Sequence, residues 1–279
     1  GALEADDFAL SISGGTATLS SATPTDISAN GNVYTLDIGL TGTPDGAEVL
    51  DVVPVDDGIY DAAGNEASTS QSNNTATLND QLLPTITGVA LAADNSTIEV
   101  TFSEAVYNAN SGSGSLEASD FALSITSGTA TVAITPGTIA SNGNVYTLGI
   151  DLTGTPDGAE LLKVVPVNDG IYDAAGNEAS TVQSNNTHLL YDQSPPTITG
   201  VALAADNSTI AVTFSEAVFV SNLISPIEKS DFSLSLSASA SGGNAVLTSA
   251  TPTNPFEYTG NVYTLTIGLS GTPDGSEVL

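Results

Sequence analysis

The sequence predicts an all-β protein built of tandem seven-stranded β-sandwiches, and three observations carry that expectation. A unit of 112 residues recurs: "PTITGVALAADNSTIEVTFSEAV" from Pro84 returns from Pro196 with a single substitution. Within the unit, apolar residues alternate with polar ones, the period of a half-buried strand. Clusters of Gly, Pro, Asn, Asp and Ser punctuate these rows at the spacing of a sandwich.

The complete copy, residues 84–195, gives the elements in order. A first strand lies near Ile86 to Leu91. In the second, Ile98, Val100 and Phe102 point one way while Glu99, Thr101 and Ser103 point the other. Phe121, Leu123 and Ile125 form a third row, and a fourth strand runs near Thr129 to Ile134. Tyr146, Leu148, Ile150 and Leu152 make the fifth, Leu161 to Val167 the sixth and Thr187 to Tyr191 the seventh. The turns between them are "AADNS", "TSG", "ASNGN" and "GTPDG". Only "SLEASDF" suits a short helical turn, with Ser115 as its cap.

Three domains follow: a partial repeat over 1–83, the complete repeat over 84–195 and a partial repeat over 196–279. "GALEADDF" at Gly1 matches "GSLEASDF" at Gly114, and "GTPDGSEVL" at the other end matches Gly154 to Leu162. Both ends thus fall inside the unit. The expectation is a window of a longer array, the alternative being completion by strand addition from a neighbouring chain.

Composition narrows the function. The chain has 279 residues, 32 acidic side chains against only two lysines, and a formal charge of −30. Such a surface repels phosphate backbones, which argues against nucleic acid, and it repels itself unless cations are bound. No apolar run is long enough to span a membrane. The absence of cysteine excludes disulfides, thiolate metal sites and cysteine nucleophiles.

"TIEVTFSEAVYN", "LEASDFALSI", "GNVYTLGIDLTGTPDG" and "DGIYDAAGNEAS" resemble the tandem Ig-like repeats of giant bacterial cell-surface proteins. Those include adhesins of gliding Bacteroidota and swimming-associated surface proteins of marine cyanobacteria. The resemblance covers the whole chain and implies tandem seven-stranded Ig-like Greek-key β-sandwiches in a linear array. It also implies an extracellular, bacterial cell-surface location and a role as adhesin stalk or filament in adhesion or surface motility. The rival reading is a self-assembling extracellular fibre or sheath; a third is a carbohydrate-binding module. Expected partners are neighbouring repeats of the chain, other copies of it, or a surface glycan or protein.

In that topology the loop joining strands six and seven lies at the pole where the chain enters each sandwich. "DGIYDAAGNEAS" is that loop, spelled identically from Asp57 and from Asp169. It places Asp169, Asp173 and Asn177 near Asp80 of the incoming linker, with Glu104 at the same pole; Asp57, Asp61 and Asn65 are the counterparts in the first copy. Hard cations such as Ca²⁺ take about six to eight oxygen ligands, which these residues could supply. A hairpin alone also accounts for the motif, with Asp173 forming an Asx-turn, Gly176 at positive φ and Asn177 tolerating a similar conformation. Asp45, Asp157, Asp274, Asp94 and Asp206 lie in turns of the opposite pole and, with Asp192 in the second linker, are either turn residues or further ligands.

The third copy departs from the second where "VSNLISPIEKS" and "TNPFEYTG" appear, bringing Val220, Leu223, Ile224, Pro226, Ile227, Phe256 and Tyr258 into loops. These residues either pack across the junction or form a contact patch. Catalysis has little support. His188 is the single histidine and corresponds to Ala76 in the first copy, so no triad or two-histidine metal site can be assembled. Sequons occur at Asn73, Asn95, Asn185 and Asn207, as an Asn/Ser/Thr-rich surface yields by chance.

Overall fold

A computed structural model describes residues 1–220, 227–237 and 245–279. The fold is all-β. Every described strand pairing is antiparallel. Helix among the described residues is limited to single 3-10 turns at Ala5–Asp7, Ala118–Asp120 and Lys229–Asp231. The chain divides into two compact units, Gly1–Gln193 and Ser194–Leu279, so the first two repeats belong to one body.

In the complete repeat, one sheet has the order Ile139–Asn142, Val145–Gly149, Thr97–Phe102, Ile86–Leu91. The other has the order Phe121–Thr126, Leu161–Pro166, Thr187–Leu189. A short ladder joins Thr131–Val132 to Leu152–Thr153. The alternation places Ile98, Val100 and Phe102 inward from the first sheet and Phe121, Leu123, Leu162 and Val164 inward from the second, all in one buried cluster. The rings of Phe102, Phe121 and Tyr146 meet in it, Phe102 lying edge-on to Tyr146 with centroids 5.9 Å apart. Tyr146 is tolerated there because its hydroxyl donates to the Val106 carbonyl at 3.2 Å. Burying side chains of this size stabilises by about 1.5–3 kcal/mol each, enough for every copy to need its own core.

Two details differ from expectation. "ASNGN" is not only a turn: Ile139–Asn142 is a strand that hairpins through Gly143, at φ +59, onto Val145–Gly149. The helical turn is capped at Glu117 rather than Ser115: the Asp120 carboxylate accepts the Glu117 N–H at 2.7 Å.

The first repeat has the sheets Phe8–Ser13, Val49–Pro54, Thr75–Thr77 and Asp26–Asn30, Val33–Asp37. Val33–Asp37 pairs on one side only, and its Tyr34 is 39% exposed where Tyr146 is 7%. The second unit has a four-stranded sheet, Ile198–Leu203, Thr209–Phe214, Val262–Thr266, Thr253–Thr259. Its "TNPFEYT" stretch is therefore an edge strand and not a loop. Phe256 packs on Phe232 and Tyr263, and Ile227 joins the same core, so both residues belong to the unit's own interior. Tyr258 stays 57% exposed, stacked on Tyr263. Leu223, Ile224 and Pro226 lie outside the described residues.

Candidate metal centre

The repeated loop is built from two consecutive turns. The first, Val167 to Gly170, is closed by the Gly170 N–H on the Val167 carbonyl at 3.0 Å and holds Asp169 at φ +58. Asp57 repeats this at φ +60. A short polar side chain suits that left-handed conformation, which is reason enough for an aspartate here. The Asp169 carboxylate accepts from Tyr172 Oη at 3.4 Å and Asn168 Nδ2 at 2.8 Å, and that of Asp57 accepts from Tyr60 Oη at 2.9 Å. Neither belongs to the cluster of three carboxylates found among the described residues.

The second turn is an Asx-turn. Asp173 Oδ1 accepts the N–H groups of Ala175 and Asn177, both at 2.8 Å, and Oδ2 accepts Asn177 Nδ2 at 2.7 Å. Gly176 has φ +92, and a Cβ there would lie 2.5 Å from the Asn110 carbonyl oxygen, so glycine is required twice over. Asn177 does not share the positive φ. In the first copy Asp61 makes the same bonds with Ala63 and Asn65 but remains exposed. Asp173 is fully buried. The sequence is identical, so the difference comes from the surroundings.

Those surroundings are the junction between the first and second repeats. Asn177 Nδ2 also donates to the Asp80 backbone carbonyl, at 3.2 Å, tying the loop to the incoming linker. Glu104 stands two residues beyond the end of the strand Thr97–Phe102. Carboxylate oxygens of Asp80, Glu104 and Asp173 all lie within 4.8 Å of one another. Two unit charges at that separation repel by roughly 3–4 kcal/mol at an effective dielectric constant of 20, before solvent screening. The Glu104 carboxyl is accordingly pushed up to about 7, first by burial and then by the negative charges of Asp173, Asp80 and Asp45. A proton or a cation relieves the repulsion within this cluster.

Asp80, Glu104 and Asp173 are the residues that could hold a divalent ion. They offer hard oxygen donors and ample negative charge, the donor set that Ca²⁺ prefers. Asp173 Oδ1 is saturated by two N–H groups, so three carboxylates alone fall short of six to eight ligands and solvent would complete the shell. Asn177 contributes by orienting Asp173, and the Asp57 and Asp61 carboxylates belong to no such group among the described residues.

The turns at the opposite pole behave as turns. Asp45, Asp157 and Asp274 accept the N–H two residues on, and Asp94 and Asp206 do the same with Ser96 and Ser208. Sequence reasoning overlooked the glutamate that follows them. Glu160 is fully buried; its Oε1 accepts from Thr129 and Ala130, and its Oε2 from Asp157 and Gly158. Burial alone would raise its carboxyl, but the backbone donors win and hold it near about 2. Glu48 repeats the arrangement, and Glu277 accepts from Ala245 and Asp274. The signal was present in "GTPDG" followed two positions later by Glu in all three copies.

Comparison with protein-family models, with curated proteins and with solved structures finds no match to this chain.

Proposed function

We propose that the chain is a non-enzymatic stretch of an extracellular bacterial array, serving as the stalk or surface filament of an adhesive or motility-associated structure. One observation supports this most: a sandwich-like repeat recurs almost unchanged, and the first two copies form one compact unit in which the Asn177 side chain donates to the Asp80 backbone carbonyl of the incoming linker. Near-identical copies suit spacing and stiffness, for which each copy does the same job. An Ig-like Greek-key reading is supported by the strand orders of the complete repeat. Numbered as strands A to G, they run A, B, E, D in one sheet and C, F, G in the other, as in constant-type Ig domains. Calcium is the proposed ionic partner, held at the junction by Asp80, Glu104 and Asp173, where it would remove the repulsion that opposes docking of the repeats.

Thermal unfolding of the intact chain in EDTA and in millimolar Ca²⁺ tests the ionic part. An ion that binds only the native state adds about 2.7 kcal/mol at 100 times its dissociation constant, a rise of several degrees. The expected result is such a rise, lost in Asp173→Asn and retained in Asp169→Asn. An unchanged midpoint removes calcium from the proposal. Electron microscopy of the purified chain addresses the stalk itself: separate particles favour it, and lateral bundles favour the fibre.

A further inference from the structure

The first two copies of the repeat diverge on one face. In the complete repeat, the strands Phe121–Thr126, Leu161–Pro166 and Thr187–Leu189 turn Leu123, Leu162 and Val164 inward, so Leu161, Lys163, Val165 and Leu189 point outward. The corresponding sheet of the first repeat holds Val49, Asp51, Val53 and Thr77 at those positions. Val49 thus becomes Leu161, Asp51 becomes Lys163, Thr77 becomes Leu189 and, just past the strand, Asn79 becomes Tyr191. The opposite sheet does not diverge in this way. "GNVYTL" is unchanged in all three copies, and residues 86–102 differ from 198–214 only at Glu99, which is Ala211.

The result in the complete repeat is an apolar surface around a single cation. Leu161, Leu189 and Tyr191 are 37%, 54% and 46% exposed. Lys163 is exposed among them and pairs with no carboxylate among the described residues. No acidic residue occupies an outward position of these three strands, although the chain carries 32 acids against two lysines. An acidic partner therefore meets attraction here and repulsion over the rest of the molecule. The first repeat presents such a partner surface, on which Asp51 is the single outward acid. In both rows a charge stands between two apolar side chains, Val49-Asp51-Val53 and Leu161-Lys163-Val165, and the charges are of opposite sign. Rows of this form match centre to centre in either strand direction. Stacked sheets lie about 10 Å apart, a gap that a lysine and an aspartate from opposite faces bridge.

We propose that this outer face of the complete repeat docks on the corresponding face of the first repeat of a second copy of the chain, with Lys163 on Asp51 and the flanking apolar side chains in contact. Leu189 and Tyr191 widen the apolar contact. Each surface is the outer side of a three-stranded sheet, so docking needs no new strand pairing. The charges set the register and reject wrong partners: two complete-repeat faces would oppose lysine to lysine, and two first-repeat faces aspartate to aspartate. Neither face contains Asp80, Glu104 or Asp173, so the contact stands or falls separately from calcium at the junction. Two such chains side by side remain a stalk, one chain thicker.

Sedimentation equilibrium of the intact chain in EDTA tests this, at about 0.15 M NaCl, where exposed charges are screened beyond about 8 Å. The weight-average mass should rise above that of the monomer as concentration increases. The variants exchange residues between copies, so each introduces a side chain that the fold already carries at the equivalent position. Lys163→Asp sets aspartate on both faces, and Asp51→Lys sets lysine on both. Asn74, whose Nδ2 donates to Asp51, keeps the Val52 carbonyl as acceptor at 3.1 Å. Each single variant should weaken association by about tenfold or more, and the double exchange should restore it to within about threefold of the parent. Leu189→Thr should weaken it with both charges intact. A parent that stays monomeric at about 100 μM, single variants that associate as the parent does, or a double exchange that fails to recover association overturns the proposal.

Discussion

Glu160 and Glu104 are two carboxylates of the same repeat pushed in opposite directions, and the contrast shows how local geometry sets their chemistry. Both are withdrawn from water; Glu160 meets backbone N–H groups, and Glu104 meets other carboxylates. With its folded value lowered to about 2 from 4.5, Glu160 contributes stability that is full above pH ~4.5 and lost as pH falls toward ~2. Urea midpoints over that window should fall for the parent, and Glu160→Gln should lower the midpoint at pH 7 by an amount worth about 3 kcal/mol, because donors are left unsatisfied. Glu104, raised to about 7, has the opposite sign: its contribution is full below pH ~4.5 and is lost as pH rises through ~7. In EDTA, therefore, Glu104→Gln should flatten the decline of the unfolding midpoint between pH 5 and 8 and raise the midpoint at pH 8. A midpoint lower than the parent's at pH 8 would refute the repulsive junction. The loop residues around these groups were legible in the sequence as candidates, but Asp169 and Asp173 could not be told apart there. Both are aspartates in acidic turns, and only the backbone conformation assigns one to a left-handed turn and the other to the junction.

At the scale of single elements, alternation of apolar residues was a dependable guide wherever a strand has one buried face. Ile98, Val100 and Phe102 read out as a row and are one. Ile139–Asn142 was missed because it is an edge strand with little buried surface, so its sequence carries turn residues and no apolar period. The stretch "TNPFEYTG" was misread for a related reason: its Pro and Asn signal a loop, yet register with Val262–Thr266 sets Phe256 against Phe232 and Tyr263. Phe256→Ser should consequently lower the stability of the second unit by about 3 kcal/mol, while Tyr258→Ser, on the same face but 57% exposed near the end of the strand, should cost about 1 kcal/mol or less. Equal effects of the two substitutions in chemical denaturation would contradict this difference in burial.

For the molecule as a whole, a charge of −30 and two lysines leave trypsin two places to cut. Lys163 sits mid-strand, paired with Ser124 on one side and Thr187 on the other. Lys229 opens a 3-10 turn in the second unit. Cleavage requires local opening, and a strand paired on both edges opens only with its whole sheet. Limited trypsin digestion should therefore cut after Lys229 well before Lys163, read by mass spectrometry of the fragments; the reverse order would mean that the complete repeat is the less stable body.

The sequence by itself determined the repeat and its length, the all-β class, the inward rows of most strands and the concentration of acid at the turns, because each of these is written in local composition and period. Tertiary structure alone decided which acids meet. Asp80, Glu104 and Asp173 are far apart along the chain and converge only once two repeats dock, and the same Asp-Ala-Ala-Gly-Asn loop is exposed in one copy and buried in the other. Burial and repulsion are properties of neighbours in space, and identical letters acquire different chemistry when their neighbours differ.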